Sequence, residues 1–118
     1  MNKPLSYLLS HTCLFLFVGF VYAEEPEVNR EYWDNGKLKK ETYYQNGKEE
    51  GVVTVWYKNG QKQTKGHYKQ GRLNGLLSSW YQNGKKMSET SFINGKEEGF
   101  ATSWYISGEK RQDINYLG

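Results

Sequence analysis

Almost everything that metalloproteins, thiol enzymes and helical proteins are built from is scarce in this chain. Over 118 residues there are one cysteine, two histidines and two prolines. Cys13 and His11 both lie in the first 23 residues, so the remainder carries His67 as its single histidine and no cysteine. Zinc requires several Cys or His ligands, so no metal site is expected. Cysteine catalysis has no nucleophile there, and a serine nucleophile would need His67 as its base. No stretch spaces apolar residues by three and four, which excludes amphipathic helix after residue 23. The longest unbroken apolar run, Cys13 to Ala23, is 11 residues, against about 20 needed to cross a bilayer. An excess of one charge sign is also missing. Sixteen basic and 13 acidic residues are interspersed, whereas nucleic-acid binders cluster Lys and Arg on one face.

The first 23 residues read differently from the rest. Met1-Asn2-Lys3 gives a short positive start, Leu14 to Val21 an apolar core, and Val21-Tyr22-Ala23 a small-residue cleavage site ahead of Glu24-Glu25. This is the pattern of a secretory signal peptide cut after Ala23. An uncleaved membrane anchor is the alternative, with Ser10, His11 and Thr12 interrupting any longer apolar segment. Lipid attachment at Cys13 is not expected, because that cysteine opens the apolar core instead of following it. The expected product is an exported chain of 118−23, or 95, residues, periplasmic or secreted, with net charge near +2. Export permits disulfides, but without cysteine packing alone must hold this chain together. Residues 24–29 are acidic, contain Pro26 and show no period, and are expected to form a short disordered lead-in.

Glycine and aromatics are abundant: 13 Gly, 10 Tyr, 5 Phe and 4 Trp. They are also periodic. Tyr32-Trp33-Asp34-Asn35-Gly36 returns as Trp56-Tyr57-Lys58-Asn59-Gly60, Trp80-Tyr81-Gln82-Asn83-Gly84 and Trp104-Tyr105-Ile106-Ser107-Gly108, with spacings 56−32, 80−56 and 104−80, each 24 residues. A fixed period of this size marks an array of identical supersecondary units. Each period holds two reversal signals. The first is Asn-Gly, as at Asn59-Gly60, which predicts a two-residue type I′ hairpin turn. The second is a glycine-bracketed link, such as Asn46 to Gly51, Gln70 to Gly75 and Asn94 to Gly99, suited to a looser reversal of about four or five residues.

Two reversals per period leave strands of roughly six or seven residues. The expected fold is all-β, a single-layer antiparallel meander of stacked hairpins, with three full 24-residue periods and a partial fourth over residues 30–118. A two-residue loop at Asn59-Gly60 sets Tyr57 opposite Lys62, Val55 opposite Thr64 and Val53 opposite Gly66. Alternation then puts Val53, Val55, Tyr57 and Tyr68 on one face, and Val52, Thr54, Trp56, Lys65 and His67 on the other. Stacking the periods makes columns: Trp33, Tyr57, Tyr81 and Tyr105 on the first face, and Tyr32, Trp56, Trp80 and Trp104 on the second. Each ring can bury about 150–250 Å², so the columns are expected to be structural first.

Aromatic-aromatic-x-Asn-Gly-Lys units alternating with Asn-Gly-Lys-x-x-Gly units resemble the MORN repeat, in the variant form common in bacterial proteins and found among antitoxin-like members of toxin–antitoxin systems. The resemblance runs from Arg30 to Gly118. Tyr44 is followed by Gln45-Asn46-Gly47, where the common MORN pattern has glutamate and glycine, which fits the variant only. It implies scaffolding, protein binding, self-association or phospholipid contact. An export signal would put any toxin it neutralises in the envelope.

No enzymatic activity and no cofactor are expected. His67 has Tyr43, Ser91 and Asn115 as counterparts, which makes its position a solvated strand site. Lys48-Glu49-Glu50 and Lys96-Glu97-Glu98 do not resemble a calcium loop. Glu41, Glu89 and Asp113 share their position with Lys65, which suggests charge pairing between repeats on one face. The expected interaction surface is Tyr32, Trp56, Trp80, Trp104, Tyr57, Tyr81 and Tyr105. Its expected occupant is a protein partner, a toxin or a scaffold component, with weak membrane-surface contact. A lipid, choline or glycan is the alternative, since Trp and Tyr rows cradle quaternary ammonium groups. The end strands, unpaired on one side, offer self-association.

Overall fold

The computed structural model describes residues 25–117; the expected signal segment, residues 1–23, lies outside the described residues. Ten strands follow in chain order: β1 (Glu27–Tyr32), β2 (Leu38–Gln45), β3 (Lys48–Glu49), β4 (Gly51–Trp56), β5 (Lys62–Lys69), β6 (Arg72–Leu73), β7 (Gly75–Trp80), β8 (Lys86–Ile93), β9 (Lys96–Trp104) and β10 (Lys110–Tyr116). They make one antiparallel sheet in the order β1-β2-β4-β5-β7-β8-β9-β10, with β3 on β2 and β6 on β5. The sheet is an all-β meander, and its extents of 59 × 41 × 14 Å are those of a single layer. Regular structure starts earlier than residue 30. β1 opens at Glu27, and Glu27, Val28 and Asn29 pair with Tyr44, Tyr43 and Thr42, so the expected lead-in is partly strand.

The two reversals of each period exchange the roles expected of them. At Asn59-Gly60 the amide of Gly60 donates to the carbonyl of Tyr57 at 2.9 Å, and the amide of Tyr57 donates to the carbonyl of Gln61 at 2.8 Å. Left-handed backbone falls on Gly60, with φ +90, and not on Asn59. This is a type I turn followed by a left-handed glycine, the three-residue hairpin loop, and it recurs at Gly36, Gly84 and Gly108. Tyr57 therefore stands opposite Gln61, not Lys62. The type I′ turn sits instead at the second link. Asn46, Gln70 and Asn94 have φ of 52, 50 and 50, each followed by a left-handed glycine, and the flanking residues pair directly, as Gln45↔Lys48 and Lys69↔Arg72. The glycine that closes the link, Gly51, Gly75 or Gly99, then shifts the strand before pairing resumes.

The extra residue near Gln63 moves the pairing from Trp56↔Lys62 to Val55↔Thr64, after which Val53↔Gly66 follows as expected. The two faces keep the expected membership above this bulge, because alternation along β4 is unbroken. A sheet this thin has no sealed interior. Among the described residues no apolar side chain is fully buried, and the buried side chains are Thr42, Thr54 and Ser78. The nearest thing to a core lies over Gly66. A Cβ there would stand 3.0 Å from Leu73, 3.1 Å from Leu77 and 3.2 Å from Tyr68, so the missing side chain is what lets these three converge.

Candidate interaction surface

The repeats are stitched together by side chains that reach one period forward. Trp33 donates its Nε1–H to the carbonyl of Trp56 at 3.1 Å, Tyr57 its hydroxyl to Trp80 at 2.6 Å, and Tyr81 its hydroxyl to Trp104 at 2.8 Å. One aromatic column therefore spends its polar atoms on the backbone of the other. Tyr105, in the last described repeat, is 51% exposed. The turn asparagines run a second thread. Asn35, Asn59 and Asn83 donate to the carbonyls of Lys58, Gln82 and Ile106, while each accepts an amide hydrogen two residues on. Lys37 and Lys85 reach the carbonyls of Asn59 and Ser107. Sequence reasoning took Asn for its backbone conformation and missed this use of its amide. The recurrence of Asn at 35, 59 and 83, each one residue before a glycine, was the available signal.

The second column is partly accessible, as the first is. Trp56, Trp80 and Trp104 are half-buried, and Tyr32 is 59% exposed. Between two of them lies a shallow cleft of about 330 Å³, lined by Trp56, Gly60, Gln61, Lys62, Trp80 and Gly84. Gly60 and Gly84 contribute no side chain to its walls. Lys62 and Lys86 each hold their ammonium 5.7 Å from the centre of the Trp80 ring, and Lys39 stands 4.7 Å from that of Trp33. The cleft thus presents aromatic faces and positive charge together. A second hollow of about 560 Å³ lies on the Thr54 face and includes Glu41, Tyr43, Val52 and Lys65.

Charges on that face pair differently from the expectation. Arg30 meets Glu41 at 2.7 Å, Lys86 meets Glu89, and Lys110 meets Asp113 at 3.1 Å. These pairs lie within a hairpin or a strand, and among the described residues Lys65 joins none of them. The hydrogen bond and charge of Glu41 hold the Arg30 guanidinium above its ordinary range. A hydrogen bond from the Thr102 hydroxyl, then one from Lys110, holds the Asp113 carboxyl below its ordinary value. Burial raises Tyr68, and a hydrogen bond to Glu97 raises Tyr116. His67 is exposed, and its Nδ1 donates to the carbonyl of Leu76 at 3.1 Å.

The tandem organisation is matched independently. A family model described as the MORN repeat variant fits three consecutive segments, residues 28–48, 49–70 and 73–94, together more than half of the chain. The chain belongs to the MORN repeat variant family. No curated protein and no solved structure matches it significantly. The geometry extends the MORN pattern past residue 94, because β9 and β10 repeat the pairing and turn of the earlier units. MORN repeats serve in general as non-catalytic modules that bind proteins or membranes.

Proposed function

We propose that this MORN protein is a non-enzymatic binding module that holds a protein partner against the Trp56–Trp80 cleft. The observation that supports it is the composition of that cleft, two indoles lined by Gly60 and Gly84, with the Lys62 ammonium beside the Trp80 ring. Aromatic anchors supply contact area at low entropic cost and are enriched at interface hot spots. Lys62 favours a partner surface that combines an apolar side chain with carboxylates. Lys62 and Lys86 together weigh against choline or another quaternary ammonium ligand, since the Trp80 ring already carries two cations of its own. The signal-like start of the chain supports a setting in the bacterial envelope, where the partner is a toxin to be neutralised or a component to be scaffolded.

The test is affinity capture from the envelope fraction with wild type and Lys62→Glu side by side. A stoichiometric protein retained by wild type and lost at least tenfold by Lys62→Glu, with unchanged melting, supports the reading. Capture that ignores the substitution moves the contact off this cleft. Flotation with anionic liposomes but no retained protein points to a membrane-surface role instead.

A further inference from the structure

The two ends of the sheet are complementary to each other. Among the described residues β10 pairs on one side only, with β9, and β1 on one side only, with β2. Inside the chain the corresponding edges are closed, β2 by β4, β5 by β7 and β8 by β9. In the 24-residue frame β10 takes the place of β2, β5 and β8, and β1 takes the place of the strands that cover them. Direction agrees as well. Eight strands alternate along the sheet, so β10 runs antiparallel to a β1 laid beside it.

We propose that β10 of one copy receives β1 of a second copy, adding chains head to tail in the register that joins repeats within one chain. Three inner junctions fix that register: Glu41↔Thr54, Lys65↔Ser78 and Glu89↔Thr102, with Lys40↔Val55, Thr64↔Ser79 and Ser88↔Ser103 beside them. Moved on by one period, Asp113 faces Arg30 of the second copy and Gln112 faces its Glu31. The partner at this place is Thr, Ser and Thr inside the chain, but Arg at the chain's own first strand. Both side chains are open enough to meet, Arg30 at 49% and Asp113 at 53% exposure. With their own partners they extend to a line of alternating sign, Glu41, Arg30, Asp113 and Lys110. Tyr105, half exposed in the last described repeat, gains the carbonyl of Tyr32 in the second copy, as Tyr57 gains that of Trp80. Unpaired edge backbone favours strand addition.

This inference concerns strand edges and does not depend on the Trp56–Trp80 cleft. Sedimentation velocity on the purified chain over a concentration series tests it. A head-to-tail contact leaves an open edge on each dimer and builds filaments or rings, so a concentration-dependent series running past the dimer is expected. Asp113→Arg and Arg30→Asp should each weaken association roughly tenfold, about 1.4 kcal/mol, since like charges opposite one another in a sheet repel. The double swap, or a mixture of the two single variants, should restore it. Should a reversal unfold the end hairpin, Arg30→Cys with Asp113→Cys gives a second readout, a ladder of disulfide-linked multimers joined through residues 30 and 113. A monomer at every concentration overturns the proposal. So does association that stops at a dimer, or that responds to Asp113 but not to Arg30.

Discussion

At the scale of single residues, the polar atoms that cross from one repeat to the next decide how firmly the array holds. Tyr57→Phe removes the hydroxyl that donates to Trp80 and should cost about 1 kcal/mol, or about 4–8 °C of melting temperature for a domain of this size. Tyr105→Phe, whose hydroxyl meets no such carbonyl among the described residues, should leave the melting temperature of the monomer unchanged; equal losses in both would show that ring packing, not the hydrogen bond, does the joining. Thr42 is the converse case. It is 1% exposed, and its hydroxyl is buried without a hydrogen-bond partner. Thr42→Val keeps the shape and removes the unpaired group, so thermal melting should show a gain of about 1 kcal/mol. Asp113 gives the acid response. Its folded-state pKa lies below the ordinary carboxylate value, so its contribution is fully present above that value and is lost as pH falls through the folded one. An amide resonance of β10 should lose its native position in that acid range, and Asp113→Asn should abolish the transition.

At the scale of elements, the turns carry the testable content. Gln70 occupies a left-handed position, φ 50, in a type I′ turn whose counterparts are Asn46 and Asn94. Gln70→Asn should stabilise by about 0.5–1 kcal/mol in urea titration, because Asn tolerates that backbone better. Gly60→Ala should cost about 1–2 kcal/mol for the opposite reason, since φ is +90 there and a Cβ opposes it. Asn-Gly announced a hairpin at the right place and the wrong type. The dipeptide satisfies a type I′ turn, but it equally satisfies a type I turn with left-handed glycine when the asparagine amide is engaged elsewhere. That engagement, Asn59 to the carbonyl of Gln82 at 2.9 Å, is a contact across 23 residues that local propensity cannot register. The charges on the Thr54 face misled for a related reason. A shared repeat position puts Glu41, Lys65 and Glu89 in one row, yet each acid with a partner found a cation on its own hairpin or strand.

At the scale of the whole molecule, a sheet 14 Å thick has to be stabilised by neighbour-to-neighbour contacts in place of an enclosed core. Each repeat touches only the repeats beside it, so stability is close to a sum of units and junctions. Hydrogen exchange should therefore be slowest in β4 to β8, which have repeats on both sides, and fastest in β1 and β10. Uniform protection from end to end in a dilute monomer would contradict this, whereas protection of β1 and β10 that grows with concentration is the signature of copies joined end to end. Trp80→Ala, which removes a ring from the middle of the array, should lower protection in β5 and β8 together.

Periodicity alone determined that the chain is all-β, that its repeat is 24 residues, that it is a single antiparallel layer, and which residues share each aromatic column, because a sheet with a period of two leaves little freedom once the turns are placed. Only the tertiary structure decided what the columns do. It set the polar atoms of Trp33, Tyr57 and Tyr81 onto backbone in the next repeat, left the indoles of Trp56 and Trp80 around a cleft that Lys62 also lines, and extended β1 back to Glu27. Those outcomes depend on bulges that shift pairing by one or two residues and on atoms a full period apart, which are set by distances in the folded sheet and not by the order of residues along it.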